Sequence, residues 1–239
     1  MNLKFIKKAL RWLAITILLL LLIPVIISGL LLINSVQNWV VDKATVYATE
    51  MVGSEVSINT IYLKPFTDVE INDILIRDYQ NDTLIYAQHI SVSLLHFSLD
   101  SSSVDLGQVT VDHGYFNLIK YQGDSLNNLA YFIERFPKSE DASNTDLTIR
   151  ADGLALIDGR FKYQNQNVDL NSLNQIDFNH LDISRISGSF SDVEVIADSV
   201  TANVDDLRLR EQSGFRVRQL DASIVVSSSG VMTEMLFLE

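Results

Sequence analysis

Apolar residues follow three different periods in succession along this chain. Positions 12–33, WLAITILLLLLIPVIISGLLLI, are 22 residues without a charge. As a helix at about 1.5 Å per residue such a run reaches roughly 33 Å, enough to span a bilayer core. Over 34–52 the spacing changes to three and four, placing Val36, Trp39, Val40, Lys43, Ala44, Tyr47 and Met51 on one side. That predicts an amphipathic helix, with Gly53 as its C-cap. From Val56 onward the period is mostly two, that of strands.

Strands are expected at 57–63 and 69–77, the second with a slip between Ile71 and Ile74 that suggests a bulge. Ile90, Val92 and Leu94 alternate with polar residues before Leu95, Phe97 and Leu99 take up the opposite phase. Segments 104–111 and 115–121 predict a hairpin turning at Asp112-His113-Gly114. A short helix is expected from Ser125 as N-cap through Leu126, Leu129, Ala130, Ile133 and Phe136, with Pro137 as its stop. The polar stretch PKSEDASN, 137–144, reads as a linker. Further strands are expected at 147–150, 154–163, 168–170, 176–183, 193–197, 200–210 and 215–226.

A Gly-x-Phe unit recurs at Gly114/Phe116, Gly159/Phe161 and Gly188/Phe190. Its spacings, 45 and 29 residues, are too irregular for a solenoid period. The units read either as turns that open a strand or as a stack of hairpins growing one sheet.

Charge divides the chain. Positions 1–33 hold Lys4, Lys7, Lys8 and Arg11 and no acid, so of 18 bases and 30 acids the remainder keeps 14 and 30, a formal −16. Such a body lacks the clustered cations that phosphate contact needs, which excludes a soluble nucleic-acid binder. The basic flank keeps the N-terminus cytoplasmic by the positive-inside rule and exports everything after Ile33. A cleaved signal peptide is the alternative, but the apolar run is longer than a typical h-region and SVQNW offers no small-x-small site. With no cysteine, a disulfide framework, a thiolate metal site and a Cys nucleophile are all ruled out.

Catalytic patterns are not visible. His89, His96, His113 and His180 form no HExxH or His-x-His pair and lie near no glycine-flanked serine. The acid-rich DASNTD, 141–146, lacks the central Gly and the twelfth-position Glu of a calcium loop. Neither GxGxxG nor GxxxxGK occurs. No enzyme activity, metal or cofactor is expected.

The order of basic tail, anchor, glycine-ended helix and strands resembles the N-terminal portion of AsmA-like proteins, in particular the TamB type. The residues that carry it are Val56-Ser57-Ile58, Ile74-Leu75-Ile76-Arg77-Asp78, Gly114-Tyr115-Phe116-Asn117-Leu118 and the helix from Leu126 to Phe136. The resemblance covers about 1–136, and more loosely the strands beyond. It implies a mainly β fold, an elongated, twisted antiparallel β-groove with an apolar inside, behind a transmembrane helix and an amphipathic helix.

On that basis the chain divides into a cytoplasmic tail (1–11), an anchor (12–33), the amphipathic helix (34–53), an AsmA-like β region with the short helix (54–136), the linker (137–144) and a repetitive strand region (145–239). The implied protein sits in a bacterial inner membrane with its body in the periplasm. It is a non-enzymatic factor for phospholipid transport toward the outer membrane and for envelope assembly, with phospholipid acyl chains as ligand and an outer-membrane barrel of the Omp85 family as a possible partner. Val92, Phe97, Leu106 and Val109 are the candidates for lining the groove. TamB-type relatives are several times longer and end in a characteristic domain, so the chain reads as a fragment. The alternative is a membrane-tethered structural or interaction module with a closed β-core.

Overall fold

Helix α1 (Asn34–Val52) ends where the sequence places its stop: Gly53 adopts φ 63° and its N–H donates to the Thr49 carbonyl at 2.9 Å. Its facing differs from the expected one. Trp39 and Tyr47 are exposed, at 60% and 65%, while Val36, Val40, Ala44 and Ala48 form the half-buried side. Small Ala44 and Ala48 permit close approach on that side, which the two rings would prevent. A computed structural model describes residues 29, 33–64, 68–98, 103–134, 148–170, 175–196, 199–227 and 230–239. The expected anchor, except for positions 29 and 33, and the linker 137–144 lie outside them. Among the described residues no helix is long and apolar enough to cross a membrane.

Among the described residues ten strands follow: β1 (Val56–Lys64), β2 (Asp68–Arg77), β3 (Thr83–Ser98), β4 (Ser103–Lys120), β5 (Thr148–Asn165), β6 (His180–Ile196), β7 (Ser199–Glu211), β8 (Arg216–Val217), β9 (Leu220–Ser227) and β10 (Gly230–Leu238). They form one open, twisted sheet in the order β1-β2-β3-β4-β5-β6-β7-β9-β10, with the short β8 on β7. Neighbours are antiparallel except β4 and β5, which run parallel. The β4–β5 connection includes helix α2 (Asn128–Glu134). Among the described residues there is no second sheet against this one.

The hairpin expected at Asp112-His113-Gly114 does not form. β4 runs straight through it, with His113 at φ 49°. The expected strand at 168–170 lies in the turn after β5, and β6 begins only at His180.

One device explains these mid-strand slips. Asp73, His113, Asp158, Arg185, Asp192 and Asp206 all have φ between 48° and 55°. Each stands just before an apolar or glycine residue that lies three positions after an earlier apolar one: Ile71 to Ile74, Val111 to Gly114, Leu156 to Gly159, Ile183 to Ile186, Phe190 to Val193 and Val204 to Leu207. A left-handed residue adds one position to the alternation and keeps the same face apolar, at the cost of a bend. Asp73, His113 and Asp158 stand level across the sheet, since Ile74 pairs with Ala87, Ala87 with Gly114, and Asp112 with Ile157. The bends therefore line up into a crease that runs across the strands.

Helix α2 is capped by Asn127, whose Oδ1 accepts the Ala130 N–H at 2.9 Å, rather than by Ser125. Phe132 and Leu129 pack with Leu84, Ile76, Ile85, Phe116 and Leu118, whereas Leu126 and Ile133 of the expected face are exposed. Asn128, fully buried, ties the helix down. Its Oδ1 accepts the Ile119 N–H at 2.9 Å, and its Nδ2 donates to Asp78 Oδ2 at 2.8 Å and to the Asn117 carbonyl at 3.1 Å. Asp78 also accepts the Gln80 and Asp82 N–H groups and the Tyr121 hydroxyl. Three separate stretches of the resemblance, Asp78, Asn117 and the helix, thus meet at one polar knot.

Candidate functional site

Apolar residues join across the sheet in rows. One runs Leu63, Val69, Val92, Val109, Leu154, Phe190, Val204, Ala222 through the cross-strand pairs of eight strands. Beside it lies Ile61, Ile71, Ile90, Val111, Leu156, and beyond the crease come Ile58, Ile74, Ala87, Gly114 and then Val56, Ile76, Ile85, Phe116, Phe161, Ile183. Most of these side chains are half-buried, as expected of a curved single layer.

The face is concave at the crease. A concavity of about 370 Å³ is lined by Ile85, Ala87, Ile90, Val111, Gly114, Phe116, Leu156, Gly159, Phe161 and Ile186, together with Tyr86, Tyr115 and Arg160. That is within the size range of small-molecule sites, and the lining is overwhelmingly apolar. Its depth comes from Gly114 and Gly159, neither of which has a positive φ. A Cβ on Gly159 would come no closer than 3.4 Å to its neighbours, so an alanine would fit there. Phe116 and Phe161 stand side by side on one wall, ring centroids 6.0 Å apart.

Of the four candidate lining residues, Val92 and Val109 pair with each other within the long row. Leu106 pairs with Leu94 and Ala151, past a register shift. The Phe97 backbone, in β3, pairs with Val104 of β4, but the Phe97 side chain lies outside the described residues. The concavity itself, two or more residues from any of these, was not expected from the sequence. Its signal was the Gly-x-Phe unit, whose 45-residue spacing equals the β4–β5 register offset, Phe116 to Phe161.

Histidines stay with local partners. His89 Nδ1 lies 2.7 Å from Asn72 Oδ1, His180 Nδ1 lies 2.9 Å from Asp177 Oδ2, and His113 lies between Asp112 at 2.7 Å and Asp158 at 3.5 Å. The His96 side chain is outside the described residues. Among the described residues no group of His, Asp and Glu could hold a metal ion. Burial, and then hydrogen bonding to carboxylates, pushes the Tyr79 and Tyr121 phenols above the ordinary tyrosine range. Their partners are Asp124 for Tyr79, and Asp78 and Asp82 for Tyr121. Glu211, 3% exposed, extends the Phe161–Ile183 row with a carboxylate, one oxygen of which accepts the Ser213 N–H at 2.7 Å.

No family model and no curated protein matches the chain. What the site can do therefore follows from its geometry alone. It can bury hydrocarbon along a curved face.

Proposed function

We propose that this protein is an inner-membrane-anchored periplasmic factor of the AsmA/TamB type that holds phospholipid acyl chains along its apolar face, without enzymatic activity. In this reading it serves lipid transport toward the outer membrane and envelope assembly, and an Omp85-family barrel is a candidate partner. One observation carries the reading: rows of Ile, Val, Leu and Phe cross an open sheet that no second sheet covers among the described residues, and they deepen into a concavity at the crease. Each methylene moved from water onto such a face contributes about 0.8 kcal/mol, so a chain lying across several strands is held firmly.

A photoreactive residue placed at Val111, on the concave face, is expected to crosslink phospholipid in cells. The same residue at Thr110, on the opposite face, is expected not to. Absence of lipid at Val111, or equal labelling at both positions, refutes the reading.

A further inference from the structure

Helix α1 carries apolar side chains on the side it does not use for packing. Val36, Val40, Ala44 and Ala48 form its half-buried side, and the helix packs against β1, where Thr49 Oγ1 accepts the Val56 N–H at 3.3 Å. Trp39, Val46 and Tyr47 remain more than half exposed among the described residues. Trp39 and Val46 are seven positions apart, close to two turns, and so stand in line on one side of the helix.

The chain just before α1 indicates what that side meets. Positions 12–33 are 22 residues without a charge, and α1 begins at Asn34, directly after them. Ile33 is extended, φ −80° and ψ 122°, and its carbonyl accepts the Val36 and Gln37 N–H groups at 2.9 and 3.1 Å. The helix therefore starts afresh at this point and need not continue the direction of the segment before it.

Magnitudes decide how it sits. One headgroup layer is about 5–7 Å thick, whereas seven helical residues rise about 10 Å. An upright α1 would carry Val46 into water beyond the layer that holds Trp39, and a flat α1 keeps both within it. Indole, apolar in its ring and polar at its N–H, suits that layer. Exposed Asp42, Lys43 and Glu50 flank the two side chains and keep this side out of the hydrocarbon.

We infer that α1 lies flat on the membrane surface, with Trp39 and Val46 in the headgroup layer. The inference rests on the anchor in the reading above and commits to lipid as the occupant of the exposed side. Packing of α1 on β1 then holds that edge of the sheet about one helix diameter, about 10 Å, from the headgroups.

The chain has two tryptophans, Trp12 and Trp39, so single-tryptophan forms of the full chain are readily made and compared in phosphatidylcholine nanodiscs. Trp12→Phe reports on position 39. The same form with Trp39→Phe and Val46→Trp reports on position 46. Fluorescence is quenched in turn by a lipid spin-labelled on its headgroup, by one labelled near the acyl-chain end, and by aqueous iodide. The headgroup label is expected to quench the indoles at 39 and 46 alike, at least about twofold more than either other quencher does. Quenching at 39 but not at 46 means an upright helix and overturns the inference. Stronger quenching by the chain-end label places the helix in hydrocarbon and overturns it as well. Quenching by iodide alone places this side in water, and protection from all three quenchers places it under protein; either result overturns the inference. Trp39→Phe leaves Trp12 as a reporter of the anchor. Lipid quenching of Trp12 without quenching at 39 and 46 sinks the surface assignment alone, whereas its absence sinks the anchor too. Loss of crosslinking at Val111 bears on the acyl-chain reading only.

Discussion

Among the described residues, six non-glycine ones in left-handed conformations hold the bends of this sheet, and four of them are aspartates. Asp tolerates that backbone better than a β-branched residue does, since its short polar side chain hydrogen-bonds locally. Asp158→Val is expected to lower stability by about 1–2 kcal/mol, and Asp158→Gly to be neutral or mildly stabilising, in denaturant unfolding. Asn128 carries a larger share. Asn128→Ala leaves the Ile119 N–H and Asp78 without their buried partner and is expected to cost about 2–4 kcal/mol by the same measurement. Tyr79 and Tyr121 couple this region to pH. Raised phenol values favour the neutral, folded form, so their contribution is complete below the ordinary tyrosine pKa of about 10 and is lost as pH rises above it. Stability should therefore fall above about pH 10, and a Tyr79→Phe, Tyr121→Phe double variant should fall less steeply over the same pH range.

Among elements, α2 is the smallest piece with the most defined task. Phe132 presses on the row end formed by Ile76, Ile85 and Phe116. Phe132→Ala is expected to cost about 3 kcal/mol, visible as a lower denaturant midpoint. Strand β10 is the opposite case: Met232, Leu236, Phe237 and Leu238 are each more than half exposed, on a strand that among the described residues pairs with β9 alone. A long apolar edge of this kind invites further strand pairing, and Leu236→Lys is expected to reduce concentration-dependent self-association in light scattering. The elements also show what the chain disclosed by itself. β1, β2 and the extent of α1 with its stop at Gly53 were legible because period and stop signals are local, whereas the buried face of α1 and the cap and buried face of the short helix were not, since packing partners decide them. Asp112-His113-Gly114 was misread because its composition is that of a turn, while the chain uses the left-handed conformation at His113 inside a continuous strand.

At the scale of the whole molecule, one sheet curves along its crease and presents one apolar face, so a charge on that face should act at a distance from any loop. Val204, 3% exposed within the long row, is a suitable probe. Val204→Asp is expected to cost more than about 3 kcal/mol and to be detected as loss of cooperative unfolding. The sequence by itself determined the mainly β character, the helix ending at Gly53, the acidic body, and the alternation that makes one face of each strand apolar, because each depends only on residues a few positions apart. Tertiary structure alone decided which strands are neighbours. It set the parallel β4–β5 pair that brings Gly114 beside Gly159, and the ladder that opposes Arg210 to Arg216. Those juxtapositions depend on register between segments distant along the chain or joined through a turn, and no local period encodes register.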